Sequence, residues 1–223
     1  MSSFLQQYQR QPKLFIDLPS KGKYYNSTIM EDEQYVQVPV FGMNAMDEIM
    51  FKTPDALFTG ESTAQVIKSC IPSILDPWKL VGFDIDYVLI AIRIATYGDE
   101  MPITTKCGKC NTETESSLSL TRMIQKYETF DTAHSFEVDD LKFNLKPLTY
   151  KQMTDFSVEN YSFERQLIEI GRNDDMTAEE KNKNSKNSYS QINNLNLRVA
   201  ISYIESVKNE VSEETNIDEI SNF

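Results

Sequence analysis

The sequence predicts an α+β protein: a helical core flanked by a small β unit and a CxxC-bearing β-hairpin, with helices towards the C-terminus. Three observations carry that expectation. Apolar and polar residues alternate with period two in Tyr35-Val36-Gln37-Val38-Pro39-Val40, in Ser117-Leu118-Ser119-Leu120 and in Leu141-Lys142-Phe143-Asn144-Leu145. Between Asn44 and Tyr97 the spacing becomes helical, and residues that start and stop helices recur at matching intervals. No βαβ pattern runs through the chain.

The elements follow in order. Residues 1–13 are Gln-rich and polar and read as a flexible arm. Leu14 to Leu18 leads into Pro19-Ser20-Lys21-Gly22, a turn in which Pro fixes φ and Gly permits a positive φ. With Tyr35–Val40 this makes the small β unit, and Pro39 demotes the end of that strand to an edge or a strand terminus. Asn44 is placed to cap a first helix, with Asp47 and Glu48 in its first turn. Thr53-Pro54 starts a second, which Gly60 stops. Ser62 or Thr63 is expected to cap a third helix carrying Val66, Ile67 and Cys70. Asp84 is expected to cap a fourth, Ile85 to Tyr97, apolar almost all round and therefore the centre of the core, with Gly98 after its end.

Beyond Gly98, a strand, a Cys107-Gly108-Lys109-Cys110 knuckle and a second strand complete a core region spanning 14–125. Residues 126–172 read as a hairpin turning at Asp139-Asp140, followed by a helix from Thr149 to about Ile170 that Gly171 ends. Residues 173–190, rich in Asn, Lys, Ser and Asp, read as a polar linker. Residues 191–223 read as a last helix, starting at Asn193 or Asn194 and carrying Leu195 to Ile204, and then a frayed acidic tail.

Composition sets outer limits. The 223 residues are 40% hydrophobic and 11% aromatic, which is ample for a core. The formal net charge is −12 with no basic stripe, so phosphate-driven binding to nucleic acid is not expected. No apolar run approaches the roughly 20 residues that span a bilayer, and the first residues lack the basic and apolar regions of a signal peptide. Three cysteines make no disulfide framework, which points to a reducing cytoplasm.

The sharpest chemical feature is Cys107-Gly108-Lys109-Cys110. Two thiolates two residues apart can face one metal, and Gly108 would relieve the tight backbone between them. A zinc ribbon needs a second pair some 15–20 residues on, and none is present. The additional candidate ligands are Cys70 and His134, the sole histidine. The pair therefore reads either as half of a zinc site or as a hairpin device without metal. A thioredoxin-type role would need the motif at a helix start within a βαβ unit. An enzyme is not expected: there is one histidine, no Gly-x-Ser-x-Gly turn and no phosphate-binding glycine loop. Phe41, Met43, Met46, Met50 and Phe51 read either as core or as an adaptable docking surface. Trp78 reads as an interface anchor or a core plug.

Several motifs fall in a characteristic order. They are Leu18-Pro19-Ser20-Lys21-Gly22 with Tyr24-Tyr25, Asp47-Glu48-Ile49-Met50, and Thr53-Pro54-Asp55-Ala56-Leu57-Phe58-Thr59-Gly60. Then come Val66-Ile67-Lys68-Ser69-Cys70-Ile71, Asp84-Ile85-Asp86 leading into Ala91–Gly98, and the CxxC pair. From Leu14 to Leu120 the chain resembles the baseplate-hub and hub-assembly proteins of T-even-type contractile-tailed bacteriophages. The resemblance implies an assembly chaperone or a minor hub subunit, with other phage hub proteins as partners. It implies no catalytic residues to carry over. The expected location is the host cytoplasm during assembly and the tail baseplate of the virion. Relatives look zinc-ribbon-like at the knuckle, whereas this chain has half of those ligands. The alternative is a zinc-ribbon-like regulatory or adaptor module.

Overall fold

The computed structural model describes residues 10–31, 37–127, 135–209 and 212–222. The fold is α+β, with 51% of the described residues helical and 20% in strands. It divides into two units, Met1–Asp131 and Thr132–Phe223.

The first unit begins with β1 (Leu14–Ile16) paired antiparallel to β2 (Val38–Val40), Leu14 opposite Val40 and Ile16 opposite Val38. Alternation sends Ile16, Val38 and Val40 inward and leaves Phe15 exposed. Both strands are edges, so Pro39 sits in β2 without interrupting a central ladder. Tyr35 and Val36, the start of the expected strand, lie outside the described residues.

Helix α1 (Ala45–Phe51) starts at Asn44, whose side chain accepts from the N–H groups of Met46 and Asp47 at 2.8 and 2.9 Å. Asp47 returns the bond by accepting from the Asn44 N–H at 2.9 Å, completing a capping box. Helix α2 (Pro54–Phe58) follows Thr53, with Pro54 in its first turn. Gly60, at φ 76°, turns the chain into α3 (Glu61–Cys70). Ser62 and Thr63 are thus inside α3 and do not cap it. Both are buried, and Ser62 donates to the Met50 carbonyl at 2.7 Å, joining α3 to α1.

Helix α4 (Gly82–Tyr97) begins two residues before Asp84, and Gly98 ends it at φ 89°. Asp84 is therefore not its cap. It is fully buried in the first turn, where one carboxylate oxygen accepts from the Ser20 N–H at 3.0 Å and the other from the Tyr25 hydroxyl at 2.5 Å. The Tyr25 oxygen in turn accepts from the Val81 N–H at 3.0 Å. Burial pushes the Asp84 carboxyl above its ordinary pKa, against the hydrogen bonds from Ser20 and Tyr25. Burial, and then the Asp84 charge, raises the Tyr25 hydroxyl. Around this network lies the core: Leu18, Ile67, Ile71, Ile74, Leu80, Tyr87 and Val88. The expected all-round burial of α4 is only partly observed, because Leu89, Ile90 and Ile94 are half-buried.

β3 (Glu100–Lys106) and β4 (Glu113–Ser119) then pair antiparallel from Glu100 opposite Ser119 to Lys106 opposite Glu113. Asp99 holds their base. It accepts from the Thr121 N–H at 2.6 Å and the Ser119 hydroxyl at 2.9 Å, and these bonds, Thr121 first, lower its pKa. Helix α5 (Leu120–Tyr127) packs Leu120 and Ile124 inward, against α4.

In the second unit, β5 (Ser135–Val138), β6 (Leu141–Leu145), β7 (Ile204–Lys208) and β8 (Glu213–Glu214) form an antiparallel sheet in that order. Asp139, at φ 52°, makes the β5–β6 turn. Between β6 and β7 runs a helical hairpin of α6 (Tyr150–Arg172) and α7 (Ala178–Ser202).

Here the structure corrects the sequence reading. Residues 178–190 are helix and not linker, because Thr177 and Glu180 form a capping box and the segment lays Ser188 inward. Gly171 lies within α6 and does not end it. Ile204 belongs to β7 and not to a helix. The described residues of the acidic tail, 212–222, include β8 and α8 (Ile217–Asn222), which buries Ile220.

Two predictions test the Asp84 network. Tyr25→Phe leaves a buried carboxylate oxygen and the Val81 N–H without their partner and should cost about 1–3 kcal/mol. Tyr24→Phe should stay within about 0.5 kcal/mol. Urea unfolding of both variants checks this, and equal effects would refute it.

The second prediction concerns pH. The folded Asp84 pKa lies above the unfolded one, so this group's contribution is full below about pH 4 and is lost as pH rises through the folded value. Asp84→Asn should remove that dependence. A wild-type-minus-variant stability difference that stays flat from acid to neutral pH would rule the idea out.

Candidate functional site

Three places concentrate chemistry. The first is the connection between β3 and β4. The Cys107 N–H donates to the Thr112 carbonyl at 3.0 Å, and the Asn111 N–H donates to the Cys107 carbonyl at 2.9 Å. The left-handed residue of this turn is Asn111, at φ 55°, and not Gly108. A Cβ on Gly108 would meet nothing within 4 Å, so the turn does not depend on that glycine. Asn tolerates the left-handed region through its short polar side chain; that was the available signal.

Cys107 and Cys110 are both exposed. The Thr112 hydroxyl and N–H, followed by the Cys107 thiol, hydrogen-bond to the Cys110 sulfur and lower its pKa to about 7. Both cysteines thus stand in the turn at the tip of the hairpin.

Of the other sequence-derived ligands, Cys70 does not join them. Cys70 is fully buried at the end of α3, and burial pushes its thiol up to about 11. His134 lies outside the described residues. Among the described residues no three of His, Cys, Asp and Glu come together as a metal site. A structural zinc takes four donors, and among the described residues the two thiols at the tip do not make a complete site.

The second place is the surrounding of Cys70, which sequence reasoning misses. Arg10, assigned to the arm, is anchored there. One guanidinium nitrogen donates to the Ser69 carbonyl at 3.0 Å and to the Ser69 hydroxyl at 3.2 Å. The other donates to the Gly42 carbonyl and approaches Asp47 and the Cys70 sulfur, each at 3.3 Å. The Ser69 hydroxyl donates to Asp47 at 3.0 Å. Asp47 is therefore at once the capping-box acid of α1 and the buried counter-ion of Arg10. Residues 1–9 of the arm lie outside the described residues.

The third place is a groove of roughly 270 Å³ between α1, α3 and α4. Met43, Phe51, Val66, Leu89 and Ile92 form its walls, with Glu48, Lys52 and Arg93 among the lining residues. Arg93 stacks over Tyr97, its guanidinium carbon 4.6 Å from the ring centroid. Gly42 makes this approach possible, because a Cβ there would stand 2.7 Å from the Ala95 carbonyl oxygen of α4.

Of the Met and aromatic cluster, Met43 and Phe51 line the groove, while Met46 is exposed beside it with Ile49, both at 63%. Trp78 is half-buried in a short 3-10 turn, Pro77–Lys79, which Asp76 caps. No helix among the described residues is long and apolar enough to cross a membrane.

Comparison with known proteins adds one match. The family model described as T4 bacteriophage base plate protein matches residues 14–223. No curated protein and no solved structure matches the chain.

The turn geometry predicts a reactive thiol at Cys110. In reduced, metal-free protein, alkylation of Cys110 should show an apparent midpoint near pH 7, below the ordinary thiol value of about 8.5. Thr112→Val should move it upward. Peptide-resolved mass spectrometry of iodoacetamide labelling checks this, and an ordinary midpoint at Cys110 in the unsubstituted protein would contradict it.

Proposed function

The chain belongs to the T4 bacteriophage base plate protein family, and from that premise we propose that it works in building the central hub of the tail baseplate. It does so as an assembly chaperone or as a minor hub subunit, by binding other hub proteins and not by catalysis. The observation that carries this reading is the extent of the family match, residues 14–223, which takes in both units and not a single module.

The site chemistry agrees with it. The buried ionisable groups Asp84, Asp47 and Cys70 and the half-buried Tyr25 are held by structural hydrogen bonds and are not among the groove's lining residues. The groove itself is apolar, with both signs of charge among its lining residues, a composition suited to a protein partner. The net charge of −12 keeps copies of the chain apart in the host cytoplasm until such a partner is met.

A second reading, a zinc-ribbon-like regulatory or adaptor module, draws on the two exposed thiols of one turn.

Tagged protein isolated from infected cells should bring down hub proteins. Phe51→Glu, which puts a charge into the groove, should reduce that recovery at least tenfold, while Met46→Glu, beside the groove, should not. If Phe51→Glu recovers hub proteins at the unsubstituted level, the groove is not the docking surface. If the unsubstituted protein recovers none, the hub role itself fails. Mass spectrometry of finished particles separates the two forms of the role: a subunit is present at fixed copy number and a chaperone is absent.

A further inference from the structure

A cavity of roughly 300 Å³ opens between α6 and α7, next to the turn that joins them. Side-chain amides dominate its polar lining: Gln166 and Asn173 from α6 and its C-terminal cap, Asn184 and Asn187 from α7. Beside them lies Ser188, which is 3% exposed. Its hydroxyl makes no hydrogen bond to any of the described residues, and neither do the side chains of Gln166, Asn184 and Asn187. A hydroxyl so deeply placed takes a partner, and here only the cavity can supply one. Water serves when nothing else is bound.

We propose that this cavity binds an extended, uncharged peptide segment of another protein through its backbone. A carboxamide carries donors and an acceptor side by side. An extended chain presents N–H and C=O groups in turn along its length, which is the pattern such amides match. Gln166 and Asn173 stand about 10 Å apart along the helix axis at 1.5 Å per residue. That length corresponds to about three residues of extended chain at ~3.3 Å each.

The charges at the cavity already have partners. Glu169 pairs with Arg165 at 3.0 Å, and the Gly171 carbonyl near the end of α6 accepts from the Lys181 ammonium at 3.3 Å. An ionic ligand would therefore have to displace existing bonds. No aromatic ring is among the lining residues, so a sugar would find no face to stack on. The cavity shares no residue with the apolar groove of the first unit, and the two readings can fail separately.

The test uses the full chain, isotope-labelled for amide nuclear magnetic resonance. It is titrated with a pool of N-acetylated, C-amidated tetrapeptides of Gly, Ala, Ser and Asn. Expected are saturable shifts of the side-chain amide signals of Gln166, Asn184 and Asn187. Ser188→Ala should weaken binding about three- to tenfold, as for one lost neutral hydrogen bond. Ser188→Leu, which fills the cavity, should abolish it. Tyr189→Ala, exposed and outside the lining, should leave it unchanged. Maltotriose, an uncharged sugar, should shift none of these signals. A pool that shifts nothing would mean a cavity for water alone and would overturn the proposal. So would shifts that survive Ser188→Leu, or maltotriose acting on the same amides as strongly as the peptides. Thermal melts of each variant accompany the titration, and if Ser188→Leu lowers the midpoint, the result with Ser188→Ala decides.

Discussion

Asp84 sits at zero exposure inside the first turn of α4, where an isolated carboxylate would be prohibitively costly. It is tolerated because both of its oxygens are satisfied by the segment 20–25. That requirement fixes the segment: Lys21 and Gly22 adopt positive φ, and the Gly22 N–H bonds to the Ser20 hydroxyl at 3.2 Å, bending the chain back onto the helix. Tyr25 then reaches the Val81 N–H, one of the donors at the start of α4 that no helical carbonyl can satisfy. One buried carboxylate thus sets where the β1–β2 unit meets α4.

A second polar node carries the placement on to the groove. Asp47 serves the backbone of α1 and the guanidinium of Arg10 with one carboxylate, and Ser69 links it to α3. The position of α1 follows from these bonds, because its outward face, with Met46 and Ile49, is in water and contributes no packing. Gly42 brings the chain against the last turn of α4, and the Met43 N–H bonds to the Thr96 hydroxyl at 2.9 Å. The groove is what remains between a helix fixed by polar bonds and a helix fixed by its core face. Its walls are therefore set by groups that do not themselves line it.

Local signals were legible in the sequence and long-range ones were not. Asn44, Pro54, Gly98 and the Asp139-Asp140 turn act through backbone geometry within a few residues, and each appears where its chemistry places it. Asp84 has the sequence profile of a cap. Its actual partners are 59 and 64 residues away, a distance no local pattern reports. Arg10 likewise has partners 32 to 60 residues distant. The helix over 178–190 escapes notice because its composition is polar; its capping box, Thr177 with Glu180, was readable. At the hairpin tip, spacing shows that Cys107 and Cys110 can meet. It says nothing of Asn111 and Thr112, which shape the turn and tune the thiol.

The two units solve stability differently, and the difference bears on what each can do. In unit 1, long-range polar nodes and a dense aliphatic core leave little freedom. In unit 2, α6 buries no residue fully and α7 buries only Ser188 and Leu195. The helical hairpin is held instead by two capping boxes, by i,i+4 pairs such as Lys151–Asp155 and Arg165–Glu169, and by Arg198 bridging to Glu159 at 2.5 Å. Exposed pairs of this kind contribute about 0.3–0.5 kcal/mol each, too little to replace a core. Meanwhile Tyr161, Ile168, Tyr189 and Leu197 remain exposed along the same two helices. A helix pair of 23 and 25 residues with so few buried side chains therefore depends on local bonds to a degree that the helices of unit 1 do not.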